Sequence, residues 1–330
     1  MKRGFYIILA AQFFSALADN ALLFAAIALL MQLDAPSWQQ PVLNQFFVFS
    51  YIALAPFVGP FADSLPKGKV MFISNAVKSA GCLAMLIGMH PFYAYGIVGI
   101  GAAMYSPAKY GILTEYLPLQ KLVLANGWME GLTVAAIILG AVAGSLLVNP
   151  SIANHYLELF DIPSIETGID TPPEFAVSVI LVMYFVAAVF NLYIPKVALD
   201  HKLPKKNLFY ILSDFWHCFK LLWRDPLGQV SLAVTTLFWG VGVALRLIVL
   251  AWAAVALNFG LDKATQLTAV VALGIAVGSV IAAKFVKLEK SVRILPVGIA
   301  MGLSLMLMIF ISNLYLAIAM LLIIGAFSGF

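Results

Sequence analysis

Apolar stretches long enough to be helices in lipid recur along the whole chain, at 5–33, 43–62, 70–89, 92–114, 123–148, 175–195, 228–257, 265–286, 293–312 and 314–330. A span needs roughly 20 predominantly apolar residues, and each stretch meets or approaches that length. The pattern predicts an all-α membrane protein with about ten spans. Pro56, Pro107, Gly140 and Gly144 fall inside them, which membrane helices tolerate and which permits close packing. The first stretch is too long for the apolar region of a signal peptide and reads as the first span.

Two polar intervals interrupt the pattern. Residues 149–174 carry Glu158, Asp161, Glu166, Asp170 and Glu174 with no Lys or Arg, which reads as an external loop. Residues 196–227 are basic, and within them Leu208, Ile211, Leu212, Phe215, Phe219, Leu222 and Trp223 share one helical face, with Lys205, Lys206, Asp214, Lys220 and Arg224 flanking or opposing it. That spacing predicts an amphipathic helix lying at a membrane interface. A docking surface for a cytosolic partner is the other use of such a helix.

Composition and charge sharpen this picture. The chain is 63% hydrophobic and 10% charged over 330 residues, with a mean hydropathy of +1.01. Soluble domains carry about 25% charged residues, so lipid is the solvent. With the N-terminus inside and the spans alternating, all of the 19 Lys and Arg except Lys263 and Arg246 lie at or near the cytoplasmic side, Lys78 included. The positive-inside rule therefore supports both count and orientation. Six spans in 1–195, a basic cytoplasmic linker at 196–227 and four spans in 228–330 describe two halves, the second incomplete. The last stretch reaches Phe330 without a polar stop, so further helices are expected beyond it. Val58-Gly59 and Val277-Gly278, each late in the second span of its half, form a faint internal echo.

Catalytic chemistry has no foothold. There is no Gly-rich phosphate loop, His cluster, metal-ligand spacing or cofactor motif, and Cys82 and Cys218 are isolated thiols. No catalytic or metal-binding residue, no cofactor and no nucleic-acid partner is expected. Charge inside lipid stands out instead, because a charge at the bilayer centre costs about 2.5–3.5 kcal/mol on insertion scales. Asp19, with Asn20 beside it, lies mid-span one, Glu130 about two turns into span five, and Arg246 near the middle of span seven. Spans one and seven open their halves, so Asp19 and Arg246 are expected to face each other across a central cavity. The pair serves either as a gate broken by substrate charges or as a permanent ion pair, unless Asp19 alone is a proton site. Glu130 is expected to pair with Lys109 or Lys121, as a static cytoplasmic latch or in a substrate role. Lys67 and Lys69 follow Asp63 in a loop and read as solvated, orientation-setting charges. Phe238 and Trp239 precede Arg246 by one to two turns, where they line a cavity or simply pack.

Gly59-Pro60-Phe61-Ala62-Asp63 followed by Lys67-Gly68-Lys69 resembles the loop motif of the major facilitator superfamily, although Ser64 stands where a basic residue is usual and the spacing is two residues longer. Gln12 to Phe24, Tyr105 to Leu113, Ala125 to Glu130, and Leu237 to Gly240 before Arg246 resemble the bacterial lysophospholipid transporter family over the whole chain. The resemblance implies a two-half bundle of twelve spans. It implies a flippase of the bacterial inner membrane that moves lysophosphatidylethanolamine and related lysolipids from the outer to the cytoplasmic leaflet. There a partner acyltransferase, also an acyl-carrier-protein synthetase, restores the missing chain. Asp19, Asn20, Glu130 and Arg246 are then expected to bind substrate or gate. Asp63, Lys67, Lys69, Lys109 and Lys121 would form a cytoplasmic gate, and Tyr105, Phe238 and Trp239 would line the cavity.

This substrate suits the charges. Asp19 and Arg246 offer partners for an ammonium and a phosphate, and the planar fork of Arg suits phosphate. The acyl chain would remain in lipid and leave sideways, helped by Gly131, Gly140 and Gly144 on span five. The competing expectation is a proton-coupled carrier of small solutes or drugs. Asp19 would then carry the proton, and Arg246 opposite it would resist that protonation. A membrane enzyme or scramblase-like structural protein would need a catalytic cluster at a membrane face, and none is legible.

Overall fold

The computed structural model describes residues 3–36, 38–160, 169–195, 208–259, 261–286 and 296–329. Their regular structure is helical, the only backbone arrangement besides a closed barrel that satisfies its own hydrogen bonds in lipid. In chain order the helices are α1 (Arg3–Gln32), α2 (Gln39–Ser64), α3 (Lys67–Leu86), α4 (Pro91–Tyr116), α5 (Leu122–Leu147) and α6 (Pro150–Phe160). There follow α7 (Pro172–Leu192), α8 (Leu208–Arg224), α9 (Pro226–Ala256), α10 (Leu261–Phe285), α11 (Val297–Leu307) and α12 (Leu314–Gly329). Among the described residues the apolar stretches fall largely on helices. Among the described residues, five helical segments are long and apolar enough to cross a bilayer: 3–32, 42–64, 67–86, 119–147 and 172–192. Shorter apolar segments lie at 267–282, 297–310 and 314–329.

Two expectations about loops are corrected. The interval 149–174 is not all loop, because Pro150–Phe160 is helical and Tyr156 stacks on Phe175 of α7, centroids 6.0 Å apart and rings within 1° of parallel. Lys67-Gly68-Lys69 are not in a loop either. They form the first turn of α3, because Leu65 is extended and Pro66 precedes a helix without needing a donor of its own.

The helices pack into two units. One comprises residues 1–116 and 136–212, the other 117–135 and 213–330. The division runs through α5 and α8.

In the first unit α1 is central, packing on α7, α4 and α2. Small residues allow this: Ala18, Ala21, Ala25 and Ala26 are fully buried together with Leu22, Val177, Ile180 and Tyr184. The second half of α5 closes on α1 at Gly140 and Gly144, where a Cβ would come within 2.6 Å of the backbone oxygens of Leu17 and Ala21 respectively. Side chains turned outward are large and apolar. Phe49, Ile52, Val182 and Phe185 are each at least 60% exposed, an arrangement stable only where lipid replaces water.

The second unit has its own core of Leu245, Val249, Ala253, Leu267, Val271, Met301, Leu321 and Ile324. Here α10 and α12 cross at Gly274, Gly278, Gly325 and Gly329, each of which meets the opposing backbone. Gly278 is pressed against Ala326, whereas Gly59 has open space where its Cβ would be, so the echo between them is not one of packing. Trp252 Nε1 donates to the Met308 carbonyl at 3.0 Å, where α11 gives way to a 3₁₀ turn. The helix α8 forms where the periodicity predicts one. Trp216, Phe219 and Trp223 stack at 5.5 and 5.9 Å, with Lys220 Nζ 5.4 Å from the Trp216 ring centre, and all three rings are exposed. Asp225 then caps α9 by accepting from the Gly228 amide at 3.0 Å, satisfying one of that helix's orphan donors.

Candidate functional site

Polar side chains in lipid are stabilised by one another, and in the first unit a set of them meets along a line between α1, α3 and α7. Ser15 and Asp19 are four residues apart on α1 and share a face, as do Asn75 and Lys78, three apart on α3. Lys78 Nζ donates to Asp19 Oδ2 at 2.8 Å and to Ser15 Oγ at 3.0 Å. The Ser15 hydroxyl donates to Asn75 Oδ1 at 2.8 Å, and the Tyr184 hydroxyl donates to Asp19 Oδ1 at 2.7 Å. The ammonium also lies 4.9 Å from the ring centre of Tyr105 and 5.6 Å from that of Tyr184, within reach of attraction to their π faces. Lys78 is 1% exposed, while the Asp19 side chain is 21% exposed. The network thus buries the cation and presents the carboxylate. Gly101 makes room for it, since a Cβ there would come within 2.7 Å of Lys78 Cγ.

This corrects the placement of Lys78 at the cytoplasmic side. It sits within α3 opposite the middle of α1, because a charge there needs a partner and Asp19 supplies it. Among the described residues, a neutralising cation for Asp19 lies within its own unit. Arg246 lies on α9, in the other unit, and its side chain is outside the described residues. Tyr105 is 4% exposed and covers Lys78 instead of lining open space. The Asn20 amide turns back to donate to the Ala16 carbonyl at 2.8 Å, with its Cβ at the contact of α1 with Gly140.

A second charged cluster ties the ends of α2, α3 and α4. Lys67 Nζ lies 2.6 Å from Asp63 Oδ1, 2.9 Å from the Ala62 carbonyl and 3.3 Å from Glu115 Oε1. Only 5% of the Lys67 side chain is exposed, against 63% for Asp63 and 37% for Glu115. Lys67 is therefore not a solvated charge. The C-terminal ends of α2 and α4 carry partial negative charge as well as these carboxylates, and the buried ammonium answers both. The lysine stem passes over Gly111, where a Cβ would lie 3.2 Å from Lys67 Cε. Lys69 is exposed, as expected of a solvated charge.

Lys109 is buried in α4, its Nζ 3.5 Å from the Tyr110 hydroxyl and 4.7 Å from that ring's centre. In the second unit, Glu130 is half-buried on α5 and Lys121 is exposed just before it. Phe238 packs towards Gly298 of α11. The Trp239 side chain lies outside the described residues, as do Lys196, Lys202, Lys205, Lys206, Lys287, Lys290 and Arg293.

Sequence reasoning missed Ser15, Asn75, Lys78, Tyr184 and Glu115. The signal for the first three was present as two polar pairs at helical spacing in otherwise apolar helices. Nothing in the sequence marked Tyr184 or Glu115.

The sequence model of the Major Facilitator Superfamily matches residues 8–330. A lysophospholipid transporter LplT of Yersinia enterocolitica (serotype O:8 / biotype 1B) is 43% identical over 332 residues, covering 100% of this chain and 77% of that protein. Its counterpart in Serratia proteamaculans is also 43% identical, covering 100% and 78%. Among solved structures, the human organic anion transporter MFSD10 superposes with a TM-score of 0.67 at 13% identity, covering 100% of this chain and 86% of that one. A bacterial homologue of the iron transporter ferroportin superposes with 0.65 at 16%, covering 99% and 82%. These two share the fold alone. The chain, a multi-pass membrane protein, belongs to the Major Facilitator Superfamily.

Proposed function

We propose that this chain is a lysophospholipid flippase of the bacterial inner membrane. It moves lysophosphatidylethanolamine and related lysolipids from the outer to the cytoplasmic leaflet, with its N-terminus in the cytoplasm. The observation that carries the reading is 43% identity over the entire chain to transporters named for lysophospholipid. The returned lysolipid would be the substrate of an acyltransferase that is also an acyl-carrier-protein synthetase, acting at the cytoplasmic face. The halves are residues 1–195 and 228–330, joined by the linker 196–227, with α8 lying at the cytoplasmic interface.

The chemistry of the substrate supports assigning roles to the charged residues. A lysolipid head group must leave water, while its single chain can stay among lipid tails. Asp19 accepts the head-group ammonium, Arg246 holds the phosphate through its planar fork, and Glu130 and Asn20 contribute nearby polar contacts. Asp63, Lys67, Lys69, Lys109 and Lys121 control access from the cytoplasm, Lys67 by holding three helix ends together. A proton-coupled carrier fits less well. Asp19 is already engaged by the Lys78 ammonium at 2.8 Å and the Tyr184 hydroxyl at 2.7 Å.

Uptake of radiolabelled lysophosphatidylethanolamine into spheroplasts lacking their own transporter tests the proposal. Uptake with the chain, and its loss in Arg246→Ala, is the expected result. A protein that is present in the membrane but gives no uptake would overturn it.

A further inference from the structure

Lys78 is absent from every role assigned above, yet it is the most deeply buried charge described in the first unit. At 1% exposure it cannot touch a substrate. Its interactions run to Asp19 and to side chains around it, one of which, Tyr184, also binds Asp19. One hydrogen bond goes to the carboxylate itself, one to Ser15 a turn earlier on the same helix face, and its ammonium lies over the rings of Tyr105 and Tyr184. Tyr184, 0% exposed, takes the other carboxylate oxygen. The two oxygens of Asp19 are thus held from two helices, α3 and α7, and the torsion of its side chain is set by both. A fifth of that side chain remains accessible. A carboxylate held at both oxygens and still partly accessible is a binding group kept in place without reorganisation on binding.

We infer that Lys78 is a positioning residue for head-group recognition, holding Asp19 where it meets the ammonium of a zwitterionic lysolipid. This deepens the flippase reading and rests on it. The consequence is selective. Loss of Lys78 weakens recognition of head groups that carry an ammonium and spares those that do not. A lysine serving only to hold the fold would affect both kinds alike.

The test measures KM and maximal uptake for lysophosphatidylethanolamine and for lysophosphatidylglycerol, which keeps the phosphodiester and lacks the ammonium. The variants are Lys78→Met, Tyr184→Phe and Asp19→Asn in the full chain. Lys78→Met is expected to raise KM for lysophosphatidylethanolamine on the order of tenfold, the loss of one charge-assisted hydrogen bond. KM for lysophosphatidylglycerol should stay within about twofold. Asp19→Asn should show the same split. If Asp19→Asn splits the two substrates and folded Lys78→Met does not, Lys78 has no positioning role. If Asp19→Asn fails to split them, the assignment of Asp19 to the ammonium is what falls, and the inference with it. Should Lys78→Met fail to reach the membrane, Tyr184→Phe decides in its place. It removes one hydroxyl and no charge, and it should give the same split with a smaller rise in KM.

Discussion

Lys78 and Asp19 lie 59 positions apart in the sequence and 2.8 Å apart in the structure, nitrogen to oxygen, with the lysine almost wholly enclosed. Breaking such a pair from one side strands the other charge, which costs about 3–5 kcal/mol in buried cases. Lys78→Met should therefore lower the thermal stability of the detergent-purified protein, and Asp19→Asn added to it should recover most of the loss. If the double variant is no more stable than Lys78→Met, the pair does not carry that energy.

Lys67 offers a contrast within the same unit. Its partners Asp63 and Glu115 are 63% and 37% exposed, so both stay hydrated once the lysine is gone. Lys67→Met should cost up to about 1 kcal/mol, less than Lys78→Met, because surface-facing ion pairs contribute little. Measured unfolding midpoints in the reverse order would contradict the burial argument.

Gly140 and Gly144 have no room for a side chain. A Cβ at either would come within 2.6 Å of α1 backbone oxygen, and backbone cannot yield as a flexible side chain can. Gly144→Val should cost at least 1–3 kcal/mol, the usual range for overpacking, and reduce the yield of folded protein. Gly59→Ala, at a glycine with open space around it, is the matched control and should be silent in the same thermal assay.

The two cysteines should differ in reactivity. Cys82 is buried in the core of the first unit and Cys218 is exposed on α8. A membrane-permeant maleimide should modify the native protein once, at Cys218. A second modification, at Cys82, should appear only after denaturation. Mass spectrometry of labelled peptides reads this directly, and Cys82 labelling in the native state would place it outside the core.

The sequence by itself determined the membrane class, the helical elements and Asp19 as a charge within a span, because the solvent dictates them. Where lipid replaces water, twenty apolar residues in a row have few alternatives to a helix, and every charge among them marks a site. The helix α8 was legible from its period. Tertiary structure alone decided which charge answers which. Alternating spans assign each lysine to a side of the membrane, and by that rule Lys78 belonged to the cytoplasm. A buried cation is instead placed by the nearest anion, and proximity between α1 and α3 is set by the packing of Ala, Gly and Ser faces that carry no charge signal. Tyr184 and Glu115 were silent in the sequence because an aromatic or acidic residue near a helix is ordinary until a neighbour 165 or 48 positions away comes within hydrogen-bonding or ion-pairing distance.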